Sequence, residues 1–256
     1  MLKKKSLGQH FLRSKSHLGA VVTAGGVTHE DMVLEIGPGD GALTRELLIT
    51  GARVVAIEKD SRLIPLLSVT FHREITSGQL QIIEGDALTF DPSILQTNTW
   101  KVVGNIPYYI TGALIRTFLT CSPQPSTLVF LIQKEVAERI ARSSKESLLS
   151  LSVKAYGTPT YVKTVPRGAF SPPPEVESAI LSVLAISRKN FTSPLHEQKF
   201  FEVLHAGFAQ KRKLLRRNVE SALGSEAASK MEEAGIPQSA RAEDVHIKEW
   251  LTLSRV

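Results

Sequence analysis

The sequence is short of the features that mark an exported or membrane-spanning chain. Cys121 is its one cysteine, so no disulfide within the chain and no cysteine-built zinc cluster can form, and the usage suits a reducing compartment. The longest unbroken apolar run is Leu128–Ile132, five residues where a membrane helix needs about 20. No apolar stretch follows Lys3–Lys5, because His10, Arg13, Lys15 and His17 interrupt it. A secretory signal is therefore not expected, and although a basic, Ser-containing start can imitate an organelle transit peptide, the cytoplasm is the expected location. Asn190-Phe191-Thr192 matches a glycosylation acceptor, a chance match without a secretory route. Low-complexity tracts and fixed-period repeats are missing too. Hydrophobic residues make up 42% of 256 and charged residues 22%, which excludes a disordered or collagen-like chain and leaves one large domain, or one ordinary domain with a small companion.

Acidic residues are absent from two basic segments. Residues 1–17 hold Lys3, Lys4, Lys5, Arg13 and Lys15, and residues 205–217 hold Lys211, Arg212, Lys213, Arg216 and Arg217. Setting those ten aside, acids outnumber bases in the rest, so the net charge of +6 is confined to two short segments. Localised positive charge of this kind fits a polyanion contact, nucleic acid before membrane surface; the alternative is a pair of solvated faces.

The first two-thirds of the chain alternates short, β-branched-rich apolar runs with amphipathic stretches. Strands are predicted at Met32–Ile36, Arg53–Glu58, Leu80–Glu84, Trp100–Gly104 and Thr127–Ile132. Helices are predicted at Ala42–Ile49, at Arg62–Phe71 behind an N-cap Ser61, at Ile110–Leu119 and at Lys134–Ser143. Strands separated by helices imply a parallel sheet covered on both faces. Tyr161–Val165 and Ser178–Ile186, joined by a loop, suggest an antiparallel hairpin at one edge. After a polar linker at Ser187–Pro194 the pattern becomes helical, at Leu195–Ala209, Lys211–Leu223, Glu226–Ala234 and Val245–Leu253. The expected organisation is an α/β domain over 1–188 and a small all-α domain over 189–256.

Three successive strand ends carry polar groups suited to a nucleoside. Glu35-Ile36-Gly37-Pro38-Gly39-Asp40-Gly41-Ala42 closes the first strand; its glycines allow a tight turn and close approach to a ligand. Glu58 ends the second strand and can accept from both ribose hydroxyls, and Asp86 follows the third and can accept from an adenine amine. Gly37, Gly39 and Ala42 also fit a dinucleotide-binding pattern. Glu35 favours S-adenosylmethionine, since a carboxylate suits a methionine ammonium and opposes a pyrophosphate. Pro38 points the same way, because it removes an N–H that a phosphate would use.

The fourth strand leads into Gly104-Asn105-Ile106-Pro107-Tyr108-Tyr109. An adenine amine is a poor nucleophile because its lone pair is delocalised into the ring. An amide oxygen and a backbone carbonyl accepting its two N–H protons favour the tetrahedral nitrogen that methyl transfer needs. Pro107 fixes the turn, and Tyr108 can stack on the base. Phe170, stiffened by Pro172, Pro173 and Pro174, is a candidate platform for the other face, or else a core-capping ring.

Lys4-x-x-Leu7-Gly8-Gln9-His10-Phe11-Leu12, Leu34-Glu35-Ile36-Gly37-Pro38-Gly39-x-Gly41, Asn105-Ile106-Pro107-Tyr108-Tyr109, Gly168-Ala169-Phe170-x-Pro172-Pro173-Pro174-x-Val176 and Phe208-Ala209-Gln210-Lys211-Arg212-Lys213 stand in order. Together they resemble the ribosomal RNA adenine dimethyltransferase family over nearly the whole chain, most of all its bacterial small-subunit branch. The resemblance implies a Rossmann-like, mostly parallel seven-stranded methyltransferase domain and a helical RNA-binding domain. It implies S-adenosylmethionine as methyl donor, no metal, and dimethylation of two adjacent adenines in the 3′-terminal hairpin loop of 16S rRNA within a pre-30S particle, by a monomer. It puts His10, Leu12, Gly37, Gly39, Glu58, Asp86 and Asn105 around the donor, and Asn105, Pro107, Tyr108 and Phe170 around the target base. It puts Lys211, Arg212, Lys213, Arg216 and Arg217 on RNA. The family often has Asn where His10 stands, and a Thr and Asn-Asn near residues 214–218, where Leu214, Arg216 and Arg217 add apolar surface and charge here.

Other readings of the same residues are a resistance-type methyltransferase of large-subunit rRNA, and a glutamine-amide or DNA-adenine methyltransferase. A ribosome-assembly factor whose RNA binding needs no catalysis is a third. The basic helical tail and the Phe170 proline loop favour the small-subunit reading over the first, and residues 205–217 have no role in the second.

Overall fold

The computed structural model describes residues 10–255; Lys3, Lys4, Lys5 and the Lys4–Gln9 part of the first motif lie outside them. Nine strands are present among the described residues: β1 Phe11–Leu12, β2 Met32–Ile36, β3 Arg53–Glu58, β4 Leu80–Glu84, β5 Lys101–Asn105, β6 Thr127–Gln133, β7 Thr158–Val165, β8 Phe170–Ser171 and β9 Ser178–Leu184. Seven of them form one sheet in the order β4-β3-β2-β5-β6-β9-β7. The four pairings from β4 to β6 are parallel, and β9 runs antiparallel to β6. This is the mostly parallel, Rossmann-like sheet expected. The chain leaves β2 toward β3 and β4, then returns to add β5 on the other side. The carboxyl ends of β2 and β5 thus flank a topological switch point, the crevice where open α/β sheets bind ligands.

Parallel strands need helical crossovers, and the sequence supplies them. α2 Ala42–Ile49 joins β2 to β3, α3 Ile64–Thr70 and α4 His72–Thr76 join β3 to β4, and α5 Thr111–Thr120 joins β5 to β6, while α1 Lys15–Ala24 precedes β2 and α6 Lys134–Ala141 follows β6. Val33, Val54, Val103, Val129 and Leu131 meet Leu18, Val21, Leu43, Leu47 and Leu67 in one buried cluster. The helix expected from Arg62 begins two residues later. Asp60 draws Arg62 into a side-chain pair (Nη2–Oδ2 2.5 Å) and accepts its backbone N–H, which holds residues 60–62 in a turn. Ser61 therefore caps nothing, and Pro65 sits in the first turn of α3, where its missing N–H costs no bond. β1 pairs with β8, so that Leu12 lies opposite Phe170.

The chain divides into two compact units. One comprises the described residues up to Ala137 with Pro159–Ile186; the other comprises Glu138–Thr158 with the described residues from Ser187 onward. Where the sequence suggests a border after residue 188, residues 138–158 pack with the helical segment. α7, Leu148–Tyr156, carries no counterpart among the expected helices and is capped by Ser147, whose hydroxyl accepts from Ser150 N–H. Tyr156 at its end stacks on Phe201 and donates to Glu197. The remaining helices are α8 Pro194–Gly207, α9 Leu215–Leu223, α10 Ala227–Glu233 and α11 Ile247–Leu253. Trp250, Phe200, Leu204, Leu215 and Met231 are fully buried within this unit. α9 starts at Leu215 and not at Lys211; residues 211–213 form a turn. Buried Asn218 donates through Nδ2 to the carbonyls of Gly207 (2.7 Å) and Gln210 (3.1 Å), which fastens the start of that turn to the helix behind it.

Candidate functional site

The glycine turn after β2 is held at three points. Gly37 N–H donates to Ile57 O (2.9 Å), Gly41 N–H to Pro38 O (2.9 Å), and Gly39 N–H to Glu58 Oε2 (3.1 Å). Gly39 has φ +62°, and a Cβ there would lie 2.6 Å from the Phe11 ring, so both its backbone angle and its close approach to β1 require glycine. Gly37 has φ +64° and nothing within 4 Å of a Cβ position: it faces open space at the wall of a pocket.

That pocket lies at the carboxyl ends of β2, β3, β4 and β5. Its walls include His10, Gly37, Gly39, Glu58, Asp86, Asn105, Pro107 and Tyr108. Eight of the ten residues anticipated for donor and base are therefore brought to one place. Glu58 is 6% exposed, and its Oε1 accepts from Asp60 N–H (2.8 Å). Burial raises its pKa, opposed by the Asp60 and Gly39 N–H groups. Asp86 accepts from Leu88 N–H (3.0 Å) and pairs with Lys59 Nζ (2.6 Å), a partner that holds its carboxyl below the usual range.

At the end of β5, Asn105 Nδ2 donates to the carbonyl of His10 (2.7 Å). This leaves Oδ1 as the free acceptor of that side chain among the described residues. His10 in turn donates through Nδ1 to the Pro172 carbonyl (2.9 Å), and its ring stacks on Tyr108 with centroids 6.3 Å apart. Tyr108 Oη meets Ser178 Oγ at 2.6 Å, and burial raises the phenol pKa. The side chain is neutral and its ring is fixed at the pocket wall. Pro107, at φ −60°, opens the turn that presents both tyrosines, and Tyr109 is 68% exposed at the rim.

Two expected residues fall elsewhere. Phe170 does not line the pocket. Its ring is 5% exposed and belongs to the core cluster with Leu18 and Val21, because pairing with β1 turns it inward. Leu12 is also buried; it lines a smaller inner cavity together with Glu35, Gly37 and Asn105. Both Glu35 carboxylate oxygens are buried with no partner at hydrogen-bond geometry, and burial pushes the pKa to about 8, opposed by the nearby Thr44 hydroxyl and N–H and reinforced by the Glu58 charge. An orphaned buried carboxyl beside an open glycine wall fits a ligand that brings a cation.

The sequence did not single out Lys59, Ile57, Ala87, Leu88 or Ile106 as lining residues. All five flank Glu58, Asp86 or Asn105 within two positions, and a reading of strand-end neighbours would have found them. In the helical unit, Lys211, Arg212, Lys213, Arg216 and Arg217 are all exposed, and Arg216 Nε stands 3.5 Å from Glu220. Among the described residues no group of three or more His, Cys, Asp or Glu is placed to hold a metal ion, and no helix is long and apolar enough to cross a membrane.

The family model for ribosomal RNA adenine dimethylase matches residues 1–256. The ribosomal RNA small subunit methyltransferase A of Dehalococcoides mccartyi (strain 195) is 39% identical, the match covering 99% of this chain and 88% of that one. The protein of the same name from Caulobacter vibrioides is 36% identical over 98% and 96%. Among solved structures, a dimethyladenosine transferase from Plasmodium falciparum is 27% identical with a TM-score of 0.76, covering 95% of this chain and 96% of that one. The 23S rRNA methyltransferase ErmE, 24% identical with a TM-score of 0.77 over 95% and 97%, shares the fold.

Proposed function

The chain belongs to the ribosomal RNA adenine dimethylase family, and from that premise we propose how its residues carry out the reaction and on which nucleotides. The activity is S-adenosylmethionine-dependent dimethylation of adenine N6 amines in 16S rRNA. The targets we propose are two adjacent adenines in the 3′-terminal hairpin loop, presented by a pre-30S particle to a monomeric, cytoplasmic enzyme. The observation that carries the reading is the convergence of the glycine turn, Glu58, Asp86 and Asn105 on one pocket at the switch point.

The donor supplies an electrophilic methyl group on a sulfonium. Glu58 would accept from the ribose hydroxyls with the lone pairs that Gly39 and Asp60 leave free, and Asp86 would accept from the donor's adenine amine. Gly37 makes room for the methionine portion, and Glu35, ionising as the ammonium arrives, would balance its charge.

Asn105 Oδ1 would accept one N–H of the target amine, and a carbonyl of the Pro107 turn the other, turning the nitrogen lone pair toward the methyl. Tyr108 would stack on the base. The methylated nitrogen is acidic, so no dedicated general base is required, and positioning supplies most of the rate. The five exposed cations of residues 211–217 would hold RNA phosphates.

The test is primer extension on small-subunit RNA from cells lacking the protein, with and without the purified enzyme and S-adenosylmethionine. Reverse-transcription stops at the 3′-terminal hairpin should return with the wild-type enzyme and stay absent with Asn105→Ala. Stops that return elsewhere in the RNA would overturn the choice of target.

A further inference from the structure

Lys59 and Asp86 follow neighbouring parallel strands that pair in register, with Glu58 opposite Glu84, so their side chains emerge at the same sheet edge. The Asp86 carboxylate is held at both oxygens. Oδ1 accepts the Leu88 N–H at 3.0 Å and Oδ2 accepts Lys59 Nζ at 2.6 Å. Both residues line the pocket. A carboxylate oxygen has two lone pairs, so each keeps one free for an amine. Leu88 and Lys59, gripping opposite oxygens, fix the plane in which those free lone pairs lie; Leu88 alone would leave the group free to turn.

We propose that Lys59 is a positioning residue for the methyl donor, clamping the Asp86 carboxylate so that it accepts an adenine amine and rejects a purine with a 6-oxo group. The inference rests on the reading of Asp86 as the donor's adenine acceptor. A 6-oxo purine presents an acceptor to an acceptor-only carboxylate, so an ionised, fixed Asp86 disfavours it. Lys59 does not contact the reacting atoms, and its side chain is 63% exposed. A surface ion pair of this kind is weak, so the effect is about three- to five-fold in affinity.

The experiment titrates the full chain with S-adenosylhomocysteine and S-inosylhomocysteine by calorimetry, as wild type, Lys59→Met and Lys59→Arg. The expected result is a three- to five-fold weaker adenosyl affinity for Lys59→Met, a smaller adenosyl-over-inosyl ratio, and recovery of both in Lys59→Arg. A general loosening of the pocket would weaken both ligands and leave the ratio unmoved. An unchanged ratio, or tighter adenosyl binding by Lys59→Met, overturns the clamp. A wild-type protein that binds neither ligand overturns the donor-site reading itself, whatever the variants do.

Discussion

Asn105 and His10 stand 95 residues apart in sequence and are joined by a 2.7 Å hydrogen bond from the amide nitrogen to the backbone carbonyl. The bond orients the carboxamide. With Nδ2 committed to His10, Oδ1 is the atom left to accept from a substrate amine. His10 and the carboxyl end of β5 thereby form one wall of the pocket.

Asn105→Ala is expected to lower the single-turnover methylation rate by roughly 100-fold or more, the cost of removing one preorganised partner of the reacting group. Binding to pre-small-subunit particles is expected to persist, because the cations at residues 211–217 are untouched. Rapid-quench methyl transfer and particle co-sedimentation read the two separately. Loss of both together would mean that Asn105 also serves assembly with RNA.

Replacing Glu58 by Ala removes the ribose acceptor and also the partner of the Gly39 and Asp60 N–H groups. Calorimetry should show the dissociation constant for S-adenosylmethionine rising by roughly ten-fold or more, as hydrogen bonds to a charged group are worth about 1.5–3 kcal/mol. RNA affinity should stay level. An unaltered donor affinity would rule out the ribose role.

Glu35 gives stability a pH dependence of definite sign. Its folded pKa of about 8 lies above the ordinary 4.5, so between those values the folded protein holds a proton that the unfolded chain has released. Stability should therefore fall as pH rises through that window. Glu35→Gln removes this loss and should stabilise the ligand-free protein by roughly 2–4 kcal/mol above pH 8. Part of the slope should remain, because Glu58 is shifted in the same direction. Urea melts at pH 5, 6.5 and 8 decide it. The same residue should make wild-type donor binding release a proton near pH 7, visible as a buffer-dependent binding enthalpy that Glu35→Gln lacks.

Neutralising Lys211, Arg212, Lys213, Arg216 and Arg217 together should weaken RNA binding and flatten its salt dependence. Every phosphate that is no longer paired with a cation reduces the log–log slope by about 0.7–0.9. Arg216, already 3.5 Å from Glu220, should contribute least when replaced alone. Filter binding across a salt series measures the slope, and one that stays constant would place the RNA interface elsewhere.

Much of this protein could be read before folding. Strand ends are local. The glycine turn, Glu58, Asp86 and Asn105 each follow a short apolar run at the point where a parallel strand must stop, and the order of a doubly wound sheet brings those stops together. The predicted strand Arg53–Glu58 and helix Ala42–Ile49 appear with the same bounds, because period and composition decide them. What the sequence left undetermined depends on partners far along the chain. Phe170 lies buried because its short strand pairs with β1 and sets it opposite Leu12, a placement that no local pattern predicts. Whether residues 138–158 join the sheet or the helices is decided by which core receives Tyr156. A helical pattern reveals that a face will be buried, but not against what. Lys59 reads as one more surface cation until the register of β3 and β4 sets it beside Asp86, and only the tertiary structure supplies that register.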